Sequence, residues 1–291
     1  MGRRVIPLLR AAGHDVTAVA RSAEKRAALE RGGVAAVMVD LYDPVQVLAA
    51  MRGHDAVINL ATHIPPPARA FLPGAWSENS RVRREVSRNL ADAVIQHRVP
   101  RMIQESFAPI YPHSGDEWID ETQPTKPASY NQAVIAAEAA AERVTRSGDA
   151  GVVLRFAYFY GPDSEFTRAL IESVRKGRAH LLGDPRGFWS SVSHDDAASA
   201  VVAALDVPGG IYNVVDDEPL RRRELADGIA AALGVPAPKL LPGWLKYLLG
   251  SLGETLARSE RISNRKFKAA SGWAPRSRSV VEGAPLYVST L

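Results

Sequence analysis

Residues 1–40 read MGRRVIPLLRAAGHDVTAVARSAEKRAALERGGVAAVMVD. Val5, Leu8, Leu9 and Ala12 recur at i, i+3, i+4 and i+7, so the chain opens on an amphipathic helix with no strand before it. Gly13 is placed to end that helix, and residues 16–20 read as a short Val- and Thr-bearing strand closing on Arg21. Ser22 then opens a second helix that Gly32 and Gly33 end, and VAAVMVD (34–40) supplies a second strand. A short helix over PVQVLAAM (44–51) and a strand in HDAVINLA (54–61) repeat the alternation. Strands alternating with helices predict a parallel sheet covered on both faces, and the handedness of the crossovers makes it doubly wound.

The rhythm continues through a long basic helix near Glu78 to His97, a strand at Arg101 to Ser106, an alanine-rich helix from Tyr130 to Thr145 and a strand in GVVLRFAYFYGP (151–162). Beyond Gly161 it loosens. A helix (166–177), a short strand (179–183), a helix opened by Asp195 and Asp196, and a strand (209–215) read as a smaller C-terminal α/β lobe. That lobe closes with LRRRELADGIAAALG (220–234), GWLKYLLGSLGETLA (243–257) and NRKFKAASGW (264–273). Trp244, Leu245, Leu248, Leu249 and Leu252 mark one apolar helix face, readable as lobe core, a substrate lid or a dimer contact. The loop HIPPPARAFLPG (63–74) carries four prolines, which exclude helix and favour extended backbone. It follows the carboxyl end of a strand, where open α/β sheets bind ligands.

The 291 residues are 46% hydrophobic, enough for a substantial core. Cysteine is absent, which excludes disulfides, zinc–thiolate sites and thiol nucleophiles and suits a reducing, cytoplasmic setting. The net charge of +4 is spread along helices such as RVRREVSRNL (81–90), so it reads as solvated faces rather than a nucleic-acid surface. Arg3 and Arg4 precede an apolar run that Arg10 interrupts too early for a secretory signal. No apolar stretch approaches the ~20 residues of a membrane span. The expected partner is therefore a small molecule, with no nucleic acid, membrane or metal.

Several segments, in order, resemble the extended short-chain dehydrogenase/reductases, also called NAD-dependent epimerase/dehydratases. AAGHDVTAVAR resembles their first helix and second strand, VDLYDP their adenine-side Asp motif and VINLAT their fourth-strand motif. VLRFAYFYGP is similar to LRxxNxYGP, SHDDAASAVVAAL to the HVDDVA segment, and SNRKFKAASGWAP to the C-terminal segment. The resemblance covers nearly the whole chain. It implies a Rossmann-like dinucleotide-binding domain over residues 1–162, N-terminally incomplete, with a substrate lobe over 163–291 interleaved with it. It also implies NAD or NADP as cofactor and a homodimer.

The family begins with a strand and a Thr-Gly-x-x-Gly-x-x-Gly loop whose glycines let backbone approach a pyrophosphate at a helix N-terminus. Gly2 matches only the third glycine. In the order 3-2-1-4-5 the first strand is central, so its neighbours would present unpaired inner edges unless another segment fills the slot. The expectation is a start assigned at an internal Met, with roughly a dozen further residues upstream. The rival is a true truncation, which an intact mass of the natively expressed protein decides.

The resemblance assigns the remaining roles. Tyr130 stands at the tyrosine of Tyr-x-x-x-Lys, where an i+4 lysine favours ionised phenol, but Val134 occupies the lysine position. Lys126 and His113 are sequence neighbours that could substitute. The family's catalytic Ser or Thr falls at Phe107, four residues before Tyr111, with Ser106 one position away. Ser106 reads either as a displaced catalytic hydroxyl or as a strand-end hydrogen bond. Glu105 reads as a general base or as a salt-bridged carboxylate. Arg21 replaces the acidic residue of NAD-preferring members and suits the 2′-phosphate of NADP. Asp40 and Leu41 would flank adenine, Asn59, Ala61 and Thr62 would line the nicotinamide side, and Asn79 would support the site by hydrogen bonding. Tyr158 and Tyr160 share a strand face and, with Tyr111, are candidate substrate contacts.

Three functions follow. One is an NAD(P)-dependent oxidoreductase, epimerase or dehydratase acting on a nucleotide sugar or secondary metabolite. The second is a dinucleotide- or metabolite-binding sensor without turnover, and the third a non-redox isomerase or lyase using Glu105 or Tyr130.

Overall fold

The computed structural model describes residues 1–288. Helix α1 (Gly2–Ala11) leads to β1 (Thr17–Val19), α2 (Ala23–Arg31), β2 (Ala35–Val37), α3 (Pro44–Ala50) and β3 (Ala56–Asn59). The caps are local and legible. The Ser22 hydroxyl accepts from the Lys25 amide at the start of α2, and Asp43 accepts from the Val45 and Gln46 amides at the start of α3. Next come α4 (Ser77–Arg81), a π-helical turn (Val82–Val86) and α5 (Ser87–His97), stacked as one continuous helix with a wide turn in its middle. Such turns are rare and concentrate at functional sites.

Strands β4 (Arg101–Phe107) and β5 (Trp118–Ile119) precede α6 (Ala133–Arg146), β6 (Ala150–Phe156) and β7 (Tyr158–Tyr160). The remaining elements are α7 (Glu165–Arg175), β8 (Arg178–Ala179), β9 (Phe188–Trp189), β10 (Ser191–Ser193), α8 (His194–Ala203), β11 (Gly210–Val214), β12 (Leu220–Arg221), α9 (Arg222–Leu233), β13 (Lys239–Leu240), α10 (Gly250–Ala257), β14 (Arg261–Ile262), α11 (Arg265–Ser271) and α12 (Pro285–Val288).

Strands β3, β4, β6 and β11 form a parallel sheet in the order β11-β6-β4-β3, and β1 pairs with β2 in a separate parallel ladder. The doubly wound α/β class stands, but the sheet is in two pieces. Among the described residues no strand pairs with the free edge of β3 or β1, so no segment fills the predicted central slot. Val19 of β1 is 44% exposed, as a residue beside such a break would be.

Helices hold the layers together. Val5 and Leu9 of α1 pack with Ile103, Val152 and Leu154 of the sheet and with Ala197, Ala200 and Val201 of α8. On the opposite face Met102 joins Val86, Leu90 and Val94 from the π turn and α5 and Ala140 and Val144 from α6. Successive residues Met102 and Ile103 thus feed opposite layers, as strand alternation requires. A third cluster builds the C-terminal lobe from Ile171 and Val174 of α7, Leu225 and Ile229 of α9, Trp189 and Tyr287.

Four local expectations are corrected. The proline loop contains a 3₁₀ turn at Pro67–Arg69, because a proline in the first helical position loses only an amide that lacks a partner anyway. Helix α8 is capped by Ser193 rather than by Asp195 or Asp196: the Ser193 hydroxyl accepts from the Asp196 amide and donates to its carboxylate. The strand expected through residues 151–160 breaks at Ala157, since β6 pairs with β11 and β4 whereas β7 pairs with β10. Trp244 and Leu248 are not lobe core. They lie 59% and 70% exposed on a 3₁₀ segment, Gly243–Leu249.

Gly151 sits where β6 touches α6, and a Cβ there would lie 1.9 Å from the Ala141 carbonyl oxygen. Backbone cannot yield as a side chain can. Gly151→Ala should lower stability by about 3 kcal/mol or more in urea unfolding, the upper end of core overpacking.

Candidate active site

The carboxyl ends of β3, β4 and β6 meet where an open α/β sheet binds its ligand. Asn59 ends β3 and organises the loop beyond it. Its Nδ2 donates to Gln104 Oε1 (2.9 Å) and Ser87 Oγ (3.3 Å), and its Oδ1 accepts from the Ala61 amide (3.1 Å). Asn79 is buried and its Oδ1 accepts from the His63 amide (2.9 Å), anchoring the start of the proline loop. Thr62 lies half-buried between these two anchors. The backbone of Asn59, Ala61 and Thr62 is therefore held firmly, although the Asn59 and Asn79 side chains are committed to holding it.

On the opposite side of the sheet break, Asp40 is exposed and accepts from the Tyr42 amide (2.9 Å), while the Leu41 carbonyl accepts from Asn89 Nδ2 (3.0 Å). Arg21 is exposed just beyond β1. At the start of α1 the first amides have no intrahelical acceptor, no side chain caps them, and no acidic residue stands in the first turn. A Cβ on Gly2 would meet nothing within 4 Å. Open space at Gly2 and amides without a side-chain cap fit a phosphate group, while Asp163 and Asp195 beside them are engaged by Arg3 and Arg4. The residues expected from sequence to hold a dinucleotide, Gly2 at the pyrophosphate, Arg21 at a 2′-phosphate, Asp40 and Leu41 at adenine and Asn59 to Thr62 near nicotinamide, could still reach one here, with Arg21 and Asp40 exposed.

Ser106 and Tyr111 belong elsewhere. Ser106 Oγ donates to Glu138 Oε1 (2.5 Å), and Arg155 grips the same carboxylate through Nε (2.8 Å) and Nη2 (2.7 Å). Arg155 Nη1 donates to Tyr111 Oη (2.7 Å), which donates to Asn213 Oδ1 (3.0 Å). All five side chains are buried. Each hydroxyl is thus engaged inside a buried network, the arrangement that the hydrogen-bonding reading of Ser106 describes, and Tyr111 faces Arg155 and Asn213. Glu105 is likewise no free base: Arg83 Nη2 lies 2.9 Å from both of its carboxylate oxygens, and both residues are buried.

Tyr130 lies on a 3₁₀ turn, Ser129–Asn131, with its ring 4.7 Å from that of Trp76. Burial pushes its phenol up to about 12; the groups facing it are Thr255, Glu260, Arg258 and Arg83. Neither Lys126 nor His113 is among them. Lys126 is exposed, and His113 Nδ1 accepts from the Ser259 amide (3.0 Å). Val134 is fully buried, so the i+4 position offers no cation.

Next to Tyr130 stands a stack of aromatic rings. Tyr158 lies parallel to Trp189 at 3.9 Å and edge-on to Phe107 at 5.6 Å, and Trp189 stacks on Phe166 at 5.5 Å. The Tyr158 hydroxyl is buried with no hydrogen-bond partner. Tyr160 turns away to pack on Tyr287, near the buried Asp216. Phe107, which displaces the expected serine, thus extends an aromatic wall. Arg83, Arg222, Arg258 and Glu260 surround this centre and were not expected from sequence, since no motif marks them and α9 and the segment before β14 lie far away in the chain.

The comparisons bear on this arrangement. Residues 1–208 match the family described as NAD(P)H-binding. The chain belongs to that family. It is 30% identical, over 97% of its length and 95% of the relative's, to a Streptomyces 3-diazoavenalumate denitrifying reductase. It is 29% identical, over 84% of its length and 76% of the relative's, to a 2-alkyl-3-oxoalkanoate reductase of Stenotrophomonas maltophilia. Among solved structures, UDP-glucose 4-epimerase of Thermus thermophilus with NAD superposes with a TM-score of 0.78 at 26% identity, covering 99% of this chain and 94% of that one. A human epimerase family protein with NADPH superposes at 0.82 with 22% identity, covering 100% and 96%. The fold is that of the extended short-chain dehydrogenase/reductases, with an NAD(P)-binding domain. No helix among the described residues is long and apolar enough to cross a membrane.

Removing one partner of the buried Arg155–Glu138 pair strands a charge in the core. Glu138→Ala should cost about 3–5 kcal/mol of stability by chemical denaturation. Ser106→Ala, which removes one neutral donor, should cost only about 1 kcal/mol.

Proposed function

We propose that this protein is an NADPH-preferring reductase of a small carbonyl-like substrate, with Tyr130 as proton donor. The observation that carries the reading is the phenol itself: half-buried beside Trp76 and the aromatic wall, with its acidity shifted upward by desolvation and no cation at i+4, Tyr130 is matched to the protonated form. With its acidity at about 12, roughly one molecule in 10⁵ would be ionised at neutral pH. A neutral phenol can give a proton to a developing alkoxide, whereas oxidation of an alcohol needs the phenolate as base. The site is therefore matched to reduction at neutral pH.

The bound dinucleotide would supply hydride. This chain's residues do the rest. Tyr130 hydrogen-bonds the substrate oxygen and releases its proton to it, the loop held by Asn59 and Asn79 positions the reacting face, and Trp189, Tyr158 and Phe166 exclude water. The stacked rings suit a flat, partly apolar substrate better than a sugar ring. The reductase names carried by both sequence relatives support the same direction. Arg21 supports NADPH over NADH. The absence of cysteine supports a cytoplasmic setting, and a homodimer follows from the family resemblance, to be checked by sedimentation.

The test is NADPH oxidation with a panel of 2-alkyl-3-oxoalkanoates and aromatic oxo and diazo acids. Tyr130→Phe should lower kcat about 10²–10⁴-fold without weakening NADPH binding, and undiminished turnover would exclude the role. Arg21→Glu should weaken NADPH about 10–100-fold while sparing NADH, the worth of one charged hydrogen bond. For pH, the donor form exists below the phenol pKa and is lost as pH rises through about 12. The proton-donation step should therefore show no alkaline loss through pH 10, read as a flat kcat profile.

A further inference from the structure

Four arginines are buried among the described residues: Arg83, Arg155, Arg222 and Arg258. A buried cation is costly unless an anion faces it, and three of them have one. Glu105 lies 2.9 Å from Arg83, Glu138 2.7 Å from Arg155 and Glu254 3.0 Å from Arg258. Arg222, the least exposed of the four at 1%, has no carboxylate within 4 Å among the described residues. Its Nη2 donates to the Leu256 and Arg258 carbonyls (2.8 and 2.6 Å), which fixes the guanidinium in place. Its Nε and Nη1 are buried with no hydrogen-bond partner.

Strand alternation sets what surrounds those two nitrogens. β9 lies between β12 and the segment before β14: Leu220 and Arg221 pair with Trp189 and Phe188, and the Glu260 amide donates to the Phe188 carbonyl (3.2 Å). On one side of this ribbon Arg221 and Arg261 cover the Phe188 ring, at 4.4 and 4.8 Å. Arg222 lies on the other, 5.7 Å from the Trp189 ring centre, and Trp189 stacks in turn on Tyr158 and Phe166. Alternation turns Glu260, one residue before Arg261, to the Trp189 side as well. Tyr158 Oη and Glu260 Oε1 are also buried without partners. Gly187 leaves room along the Nη1 edge, since a Cβ there would come within 2.5 Å of Nη1. The guanidinium is also tied to the reacting centre: the two carbonyls it holds lie at the carboxyl end of α10, the helix packed on the turn that carries Tyr130.

We propose that Arg222 is a specificity-determining residue that binds the carboxylate of an oxo-acid substrate beside the Trp189 wall. An unmet positive charge with uncommitted N–H donors is what a carboxylate needs, and the stacked rings offer a face to the flat part of the same molecule. One guanidinium supplies one positive charge, and Glu260 can add none. A singly charged carboxylate therefore balances the site, whereas a phosphate dianion would leave charge unmet. The inference deepens the reductase reading and rests on it: the substrate's carbonyl meets Tyr130 while its carboxylate meets Arg222. Recognition of the acid group, however, can be measured without turnover.

The experiment is calorimetry with benzoylacetate and its methyl ester, each in the presence of NADP⁺, which has no hydride to give. The wild-type chain should bind the acid about tenfold tighter than the ester or more, the worth of one charged hydrogen bond. Arg222→Met should abolish that preference, and Arg222→Lys should restore part of it. If Arg222→Met does not fold, Gly187→Ala takes its place: the added methyl displaces Nη1 without changing the charge of the chain, and most of the preference should go with it. A guanidinium that only braces the end of α10 through Nη2 predicts instead a less stable Arg222→Met protein with the acid-to-ester ratio unmoved. That result overturns the proposal, as do equal affinities for acid and ester in the wild-type chain, no binding of the acid, or a full preference in folded Gly187→Ala. An Arg222-dependent preference without NADPH oxidation would sink the reductase reading and leave this one standing. Equal binding and turnover of acid and ester would do the reverse.

Discussion

The grip of Arg155 on Glu138 holds the centre of the molecule together. It joins β6 to α6 through two parallel hydrogen bonds, and the same two side chains reach Ser106 on β4 and Tyr111 beyond its end, whose hydroxyl in turn donates to Asn213 on β11. One ion pair thus registers three neighbouring strands and a covering helix. A buried charge pair is rarely a net source of stability, but its geometry is exacting. Here that geometry sets where β4 ends, and the Arg83–Glu105 pair and the aromatic wall stand at that end.

The dinucleotide half is held together differently. With β1 and β2 paired only to each other, the ladder hydrogen bonds that would tie them to β3 are not made among the described residues. Contact across the break falls to side chains: Val16, Ile58 and Leu60 lie against the cluster built on Val5 and Leu9 of α1.

Periodicity and caps made the architecture legible. The spacing of Val5, Leu8 and Leu9 placed α1, Ser22 placed α2, and the alternation of helix and strand gave the parallel α/β class. The long basic helix was legible as a helix but not as a broken one, because nothing in VRREV signals an extra residue in the turn. The site was legible wherever a motif sits on contiguous residues, as with Tyr130 and Val134. It was illegible where polar side chains meet across the chain. Glu105 and Ser106 are adjacent in sequence and both looked chemical, yet a strand sends them apart, one to Arg83 and the other to Glu138. Only the partners, 22 and 32 residues away, decide what each does.

The buried polar groups themselves separate framework from site. In the Ser106–Glu138–Arg155–Tyr111–Asn213 network the hydroxyls, the carboxylate and the guanidinium are satisfied, and only Asn213 Nδ2 is buried without a partner. Around Tyr130 the pattern reverses. Arg83 Nη1, Tyr158 Oη, Glu260 Oε1, two nitrogens of Arg222 and both polar atoms of the Asn131 amide are buried without partners. Each such group costs about 1–3 kcal/mol, so their gathering at one place is expensive and is not what selection for stability alone would keep. Further such atoms lie on Tyr160, His194, Asn213, Asp216 and Arg261, but those named above belong to residues around the phenol and the aromatic wall. A polar ligand bound beside Tyr130 would recover part of that cost, which supports the site proposed at this end of the sheet.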